Sequence, residues 1–220
     1  MASQTEENYI KAIYKVAERE NKAVSTNAIS QAMQTTAASV TDMLKRLAAS
    51  GLINYEKYRG VTLTEKGRNL ATQLIRKHRL WETFLYDKLG FQWDEVHEIA
   101  EQLEHIRSEE LVRRLDDHLG NPKFDPHGDP IPNEDGKFTL RKQAVLQEQK
   151  PGTRVVVVGV REHSNTFLQH LSTLGIGIDT ELNVLDLRDY DHSMRLAIGD
   201  DEVMVSAQVA RNIYVRQFAT

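Results

Sequence analysis

The stretch QTTAASVTDMLKRLAASGLINYEKYRGVTLT, residues 34–64, decides the fold. Val40, Met43, Leu44 and Leu47 recur at i, i+3, i+4 and i+7, which predicts a helix ending near Gly51. Just upstream, Ser25-Thr26 supplies an N-cap. Ala28, Ile29, Ala32 and Met33 then form a second apolar stripe, closed by the break Gln34-Thr35-Thr36. Two short helices joined by a tight turn are a helix-turn-helix. After Gly51 the period changes to that of a hairpin, with strands at about 52–56 and 61–63 and a basic tip, Lys57-Tyr58-Arg59-Gly60. A further helix over about 6–20, with Ile10, Ile13, Tyr14 and Ala17 in register, precedes them. Three helices and a basic hairpin predict a winged helix.

The rest of the chain is helical first and β-rich last. Helical periodicity runs from Thr64 to about Leu89 and again from Trp93 to Leu119, with a break expected at Ser108, which can cap a new helix. Apolar residues such as Leu74, Trp81, Phe84, Leu85, Val96, Leu103, Leu111 and Leu115 exceed the needs of a local core, and the surplus suits a dimer interface. Residues 120–137, GNPKFDPHGDPIPNEDGK, hold most of the prolines and predict a linker. Beyond Lys150-Pro151-Gly152 come short β-type runs, TRVVVVGV, TELNVLDL, MRLAI, EVMVS and IYVRQF, with a helical stretch from Asn165 to Leu174 after the first. They predict a small barrel of SH3-like size. The fold class is therefore mainly α with a small β domain.

Composition narrows the chemistry. The 220 residues contain no cysteine, so disulfides, thiolate metal sites and thiol catalysis are excluded. No run of about 18 apolar residues predicts a transmembrane helix, and the N-terminus lacks a signal-peptide core, so the cytoplasm is expected and a membrane partner is not. The net charge of −4 is unevenly placed: residues 1–80 carry +6, residues 81–150 carry −7 and residues 151–220 carry −3. A basic charge that coincides with a helix-turn-helix points to double-stranded DNA. On the non-core face of the second helix lie Thr36, Ala38, Ser39, Thr41, Asp42, Lys45 and Arg46. Small residues at its start allow close approach to base edges, Ala38 suits a thymine methyl, and Asp42 can accept from a cytosine amino group. Lys45 and Arg46, with Lys57 and Arg59 at the wing tip, suit phosphates.

In the acidic middle, HEIAEQLEH (97–105) places His97, Glu101, Glu104 and His105 within roughly 100° on one face of a helix. His78 and Glu82, one turn apart on the preceding helix, form a second such face. If the two helices pack antiparallel, two clusters result: Glu101/Glu104/His105 and His78/Glu82/His97. Carboxylate and imidazole without thiolate suit Mn(II), Fe(II), Co(II) or Zn(II). His118, His127, His170 and His192 have no such company and read as surface or core residues.

EENYIKAIY, TTAASVTDMLKRLAASGLI, YEKYRGVTLTEKG, KHRLWETFL, EVHEIAEQLEHIRSEELVRRL and DPHGDPIP together resemble the metal-dependent repressors that include the diphtheria toxin repressor and the manganese transport regulator. The resemblance covers essentially the whole chain. It implies a winged-helix DNA-binding domain (1–72), a helical metal-binding and dimerisation domain (73–142) and an SH3-like, FeoA-like domain (143–220). It implies a non-enzymatic homodimeric repressor that binds operator DNA when loaded with divalent metal and controls metal-uptake genes, with no small organic substrate. Glu101, Glu104 and His105 then match a primary site together with Asn8, and His78, Glu82 and His97 match an ancillary site. His163 in GVREHSNTF, with Glu162 second, is the candidate ligand from the barrel. Position 101 is Cys in the iron type and Glu in the manganese type, so Glu101 favours Mn(II) over Fe(II). Asn8 and Lys11 depart from the manganese type, which has Asp and Glu there. Purified material can carry Zn(II) by affinity order alone. Two alternatives are a winged-helix regulator with a vestigial metal site and a partner-binding barrel, and a carboxylate-bridged metalloenzyme. The second lacks its usual Glu-x-x-His pair, because Glu104 stands three residues after Glu101.

Overall fold

The computed structural model describes residues 2–20, 22–56 and 59–218. By packing, these residues form two units. One takes in the chain through His78 with Leu103–Ser108 and Pro132–Lys137; the other holds Arg79–Gln102, Glu109–Ile131 and the chain from Phe138 onward.

The first unit is the winged helix. Helix α1 (Gln4–Glu20), α2 (Thr26–Ala32) and α3 (Ala37–Ala49) are followed by strands β1 (Ile53–Glu56) and β2 (Gly60–Leu63), paired antiparallel from Ile53↔Leu63 to Glu56↔Gly60. Caps set the helix starts. Ser25 accepts from the Ala28 amide at 3.1 Å, and Thr36 accepts from the Ser39 amide at 3.2 Å. Gln34 takes the left-handed conformation in the turn between α2 and α3. Val24 bridges to Val61, which ties the hairpin to the helices. Ile10, Ile13, Ile29, Val40, Leu44 and Leu47 are fully buried and form the core, while Ala32 of the second predicted stripe is exposed and Met33 and Met43 are half-buried. Thr36→Ala is expected to cost about 1 kcal/mol through loss of the cap, read as a lower thermal midpoint.

Helix α4 (Glu65–Leu89) follows. Its first part belongs to the first unit, where the segment 132–137 straps it: Arg76 donates to the Pro132 carbonyl at 2.9 Å and Gln73 to the Glu134 carbonyl at 2.8 Å. Helices α5 (Val96–Leu103) and α6 (Glu109–His118) pack with the end of α4 in the second unit, through Leu80, Val112, Leu115 and Ile131 and through Leu85, Val96 and Ala100. The expected long helix from Trp93 is thus shorter. It ends at Leu103, not at Ser108, and Glu104 and His105 stand in a turn.

The β domain has strands β3 (Ala144–Val145), β4 (Arg154–Val160), β5 (Glu181–Leu187), β6 (Met194–Ile198), β7 (Asp201–Val205) and β8 (Ile213–Gln217), with helices α7 (Asn165–Thr173) and α8 (Ala207–Ala210). All pairs are antiparallel, in the order β3-β8-β4-β5-β6-β7. Val155, Val157, Leu168, Leu171, Leu182, Val184, Leu196 and Val215 form its core, and Trp93 joins them with its indole N–H on the Ser172 hydroxyl at 3.0 Å. Strand β4 is buried from Val155 to Val160 because the loop 125–130 covers its outer face, with the Val160 amide on the His127 carbonyl at 3.0 Å. Among the described residues no helix is long and apolar enough to cross a membrane.

Candidate metal centre and DNA-facing surface

Glu104 leaves the helix because its partners lie elsewhere. Its carboxylate is 1% exposed, and Oε2 accepts from the Lys11 ammonium at 2.5 Å and from His78 Nδ1 at 2.7 Å. Burial pushes its pKa up, but the His78 hydrogen bond and the Lys11 charge outweigh burial and hold it below the usual carboxylate value. His105 turns to α1, where its Nδ1 donates to Glu7 Oε2 at 2.6 Å. A carboxylate can only accept, so this bond puts a proton on Nδ1 and points Nε2 the other way. That Nε2 is 3.9 Å from Glu104 Oε1. A nitrogen and a carboxylate oxygen therefore face one another, and an acid orients the imidazole from behind, as metal-ligating histidines require.

The single helical face predicted for His97, Glu101, Glu104 and His105 is corrected accordingly. A buried ion pair to Lys11 of α1 and a buried hydrogen bond to His78 of α4 take the place of one more helical turn. Glu101 remains on α5, 54% exposed, with Oε1 3.6 Å from His97 Nε2. Asn8 lies on the exposed side of α1. His78 precedes Glu82 by one turn of α4, so this helix carries a member of each cluster.

A second cluster surrounds Glu82, which is 3% exposed. His97 Nδ1 donates to its Oε1 at 3.1 Å, and His127 Nδ1 lies 3.8 Å from its Oε2. Glu82, Asp125 and His127, all buried, each offer a ligand atom within 4.8 Å of the others. Burial and the neighbouring Glu82 and Asp129 carboxylates push Asp125 up to about 7. Burial alone would lower His127, but the Glu82 hydrogen bond and the Asp125 and Glu82 charges raise it to about 9. The Arg79 guanidinium, 3.5 Å from Asp125, offsets only part of this buildup of buried acid. The donor set of two carboxylates and an imidazole fits Mn(II), Fe(II), Co(II) or Zn(II). His127 Nε2 donates to the Trp93 carbonyl at 2.7 Å, which aims Nδ1 at Glu82. His163 stacks on His127 at 5.0 Å, and Glu162 bonds the Ser164 hydroxyl instead.

The sequence had set His127 aside as surface or core; at 1% exposure beside Glu82 it is a ligand candidate. Glu7 and Asp125 were also missed. The available signal was DPHGDP, where Asp125 and His127 stand two apart in a Pro/Gly loop. There Asp125 Oδ1 accepts from the amides of His127 and Asp129, each at 2.9 Å.

On α3, Thr36, Ala38, Ser39, Asp42, Lys45 and Arg46 are exposed and Thr41 is half-buried. The hydroxyls of Thr36 and Thr41 are engaged by the helix itself, the first as its cap and the second donating to the Ala37 carbonyl at 2.8 Å. Lys45 pairs with Asp42 at 3.3 Å and Arg59 with Glu56 at 3.0 Å, all exposed. Such pairs contribute little and yield to phosphate. Lys57 lies outside the described residues.

Comparison with known proteins matches three family models along the chain. They are the iron dependent repressor N-terminal DNA binding domain (residues 1–61), the iron dependent repressor metal binding and dimerisation domain (64–133) and the FeoA domain (145–217). The iron-dependent repressor IdeR of Mycobacterium tuberculosis is 39% identical over 128 residues, 58% of this chain. The matched part spans about half, 55%, of that relative's length. A manganese-dependent transcriptional repressor in complex with manganese superposes with a TM-score of 0.82 at 34% identity, over 97% of this chain and 100% of the other. ScaR with bound Zn2+ gives 0.74 at 33% identity, over 97% and 99%.

Proposed function

The chain belongs to the iron-dependent repressor family, and from that premise we propose that it is a metal-gated repressor. It binds operator DNA as a cytoplasmic homodimer and controls metal uptake. The observation that carries this reading is the facing pair His105 Nε2 and Glu104 Oε1, anchored by Glu7 to the first helix of the winged helix. Glu104 and His105, with Asn8 on the neighbouring α1, form the first centre. Glu82, Asp125 and His127, with His97 and His163 around them, form the second. A bound divalent ion would draw the facing donors of each cluster together. The chain's own residues do the rest. Glu7 and Lys11 hold α1 against the 103–108 segment, and α1 packs on the helix-turn-helix, so order at the centre is order at the recognition helix. Mn(II) is preferred to Fe(II), because oxygen donors outnumber imidazole in the first centre and Glu101 stands where a softer ion favours thiolate.

Lys45, Arg46, Lys57 and Arg59 make the phosphate contacts, and Ala38, Ser39 and Asp42 face base edges. Operator affinity is expected to fall steeply with salt, and Arg46→Ala to reduce the slope of log K against log salt by about 1. The exposed apolar residues Tyr86, Leu89 and Leu111, at the end of α4 and on α6, suit the two-fold interface.

The test is binding of metal-stripped protein to selected DNA without metal and with Mn(II), Fe(II) under anaerobic conditions, and Zn(II). Binding that needs metal, at the lowest free concentration with Mn(II), is the expected result. Equal affinity with and without metal overturns the gating, and then the clusters are structural.

A further inference from the structure

Lys11 places a fixed charge inside the first centre. It projects from α1 at 6% exposure, with Nζ 2.5 Å from Glu104 Oε2 and 3.4 Å from His78 Nδ1. The two oxygens of Glu104 are therefore unlike. Oε2 is committed to an ammonium and an imidazole N–H, while Oε1 faces His105 Nε2. A buried carboxylate with no counter-ion is strongly destabilising, so Lys11 does for Glu104, at all times, what a metal would do only when bound. A second divalent ion on the Oε2 side would have to displace this ammonium or lie beside it, and like charges repel strongly where water is excluded.

We propose that Lys11 is a resident cation of the first centre: it restricts the centre to one metal ion, on the Oε1 side of Glu104, and keeps α1 seated on Glu104 when metal is absent. Lys11 is thus a specificity-determining residue that sets stoichiometry and the structure of the metal-free state. This inference rests on reading the centre as a metal site.

The experiment uses the full chain, metal-stripped, as parent and as Lys11→Arg, Lys11→Met, Lys11→Glu and Glu104→Gln. Mn(II) bound per chain is measured by equilibrium dialysis, Mn–Mn spin coupling by electron paramagnetic resonance, and the metal-free melting temperature by calorimetry. The parent and Lys11→Arg are expected to show uncoupled Mn(II). Lys11→Glu is expected to gain one Mn(II) per chain and a coupled signal. Lys11→Met is expected to melt lower without metal and to bind Mn(II) about tenfold more tightly, through loss of the repelling charge. A coupled pair in the parent overturns the proposal, as does Lys11→Glu with no added ion or Lys11→Met that melts with the parent. If Glu104→Gln leaves Mn(II) uptake unchanged, the metal reading of the centre fails and the proposal with it. If Glu104→Gln loses an ion but Lys11→Glu gains none, only the proposal fails.

Discussion

His105→Ala is expected to abolish metal-dependent operator binding, lowering affinity at saturating Mn(II) by about two orders of magnitude while the metal-free protein stays folded. The hydrogen bond to Glu7 holds Nδ1 and turns Nε2 toward Glu104 Oε1. Removing the imidazole deletes the proposed ligand and its orienting contact together, and loss of an orienting partner alone commonly weakens a site 10–100-fold. Folding should survive, because Glu7 keeps some access to water, its side chain being 13% exposed. Glu104 still has Lys11 and His78. The measurement is fluorescence anisotropy of labelled operator titrated with protein at several fixed Mn(II) concentrations. Linkage sets a second criterion: the parent should bind Mn(II) more tightly with operator present, and His105→Ala should show no such coupling. An alanine variant that still responds fully to Mn(II) would place the sensing at the Glu82 cluster.

The contrast between what periodicity shows and what it hides is sharp around this residue. The recognition helix was legible because Val40, Leu44 and Leu47 bury at helical spacing in a local core. The barrel was legible from its β-branched runs, and β4 could be read as a doubly buried strand because it does not alternate. The turn at Glu104 was not legible. EQLEHIR continues the helical pattern, and what ends the helix is a Lys11–Glu104 pair 93 residues apart in sequence and a Glu7–His105 pair 98 apart. His127 was hidden for a related reason. It sits in an irregular loop, where no period marks a buried side chain, and its partner Glu82 lies on another element. Local patterns report each element's own core; they are silent on polar pairs made when distant segments meet. Both clusters are made of such pairs, so residue types pointed to metal while the groupings had to come from the fold.

Gly128→Ala is expected to destabilise the second unit by about 3–5 kcal/mol and to remove the metal site at Glu82. Gly128 has a φ of +83°, where an L side chain is strained, and a Cβ there would lie 2.1 Å from the Val158 carbonyl oxygen and 2.5 Å from Gly159 Cα. Both atoms belong to the backbone of β4, where Gly159 pairs with Tyr214 of β8 and Val158 forms a bulge beside it, so neither is the free end of a flexible side chain. The loop must lift instead. Lifting it breaks the bond from the Val160 amide to the His127 carbonyl and the one from Arg141 to the Gly128 carbonyl, at 3.0 and 2.8 Å. It also carries His127 and Asp125 away from Glu82. Gly120→Ala is the control: its φ is +76°, but nothing lies within 4 Å of its Cβ, so it should cost only the conformational strain, about 1 kcal/mol. Urea denaturation of the metal-free proteins measures the difference, and Mn(II) counting shows whether one ion is lost while the His105-dependent ion remains. If Gly128→Ala instead melts with Gly120→Ala and keeps every ion, the loop tolerates displacement from β4, and close packing against that strand does not hold the second cluster together.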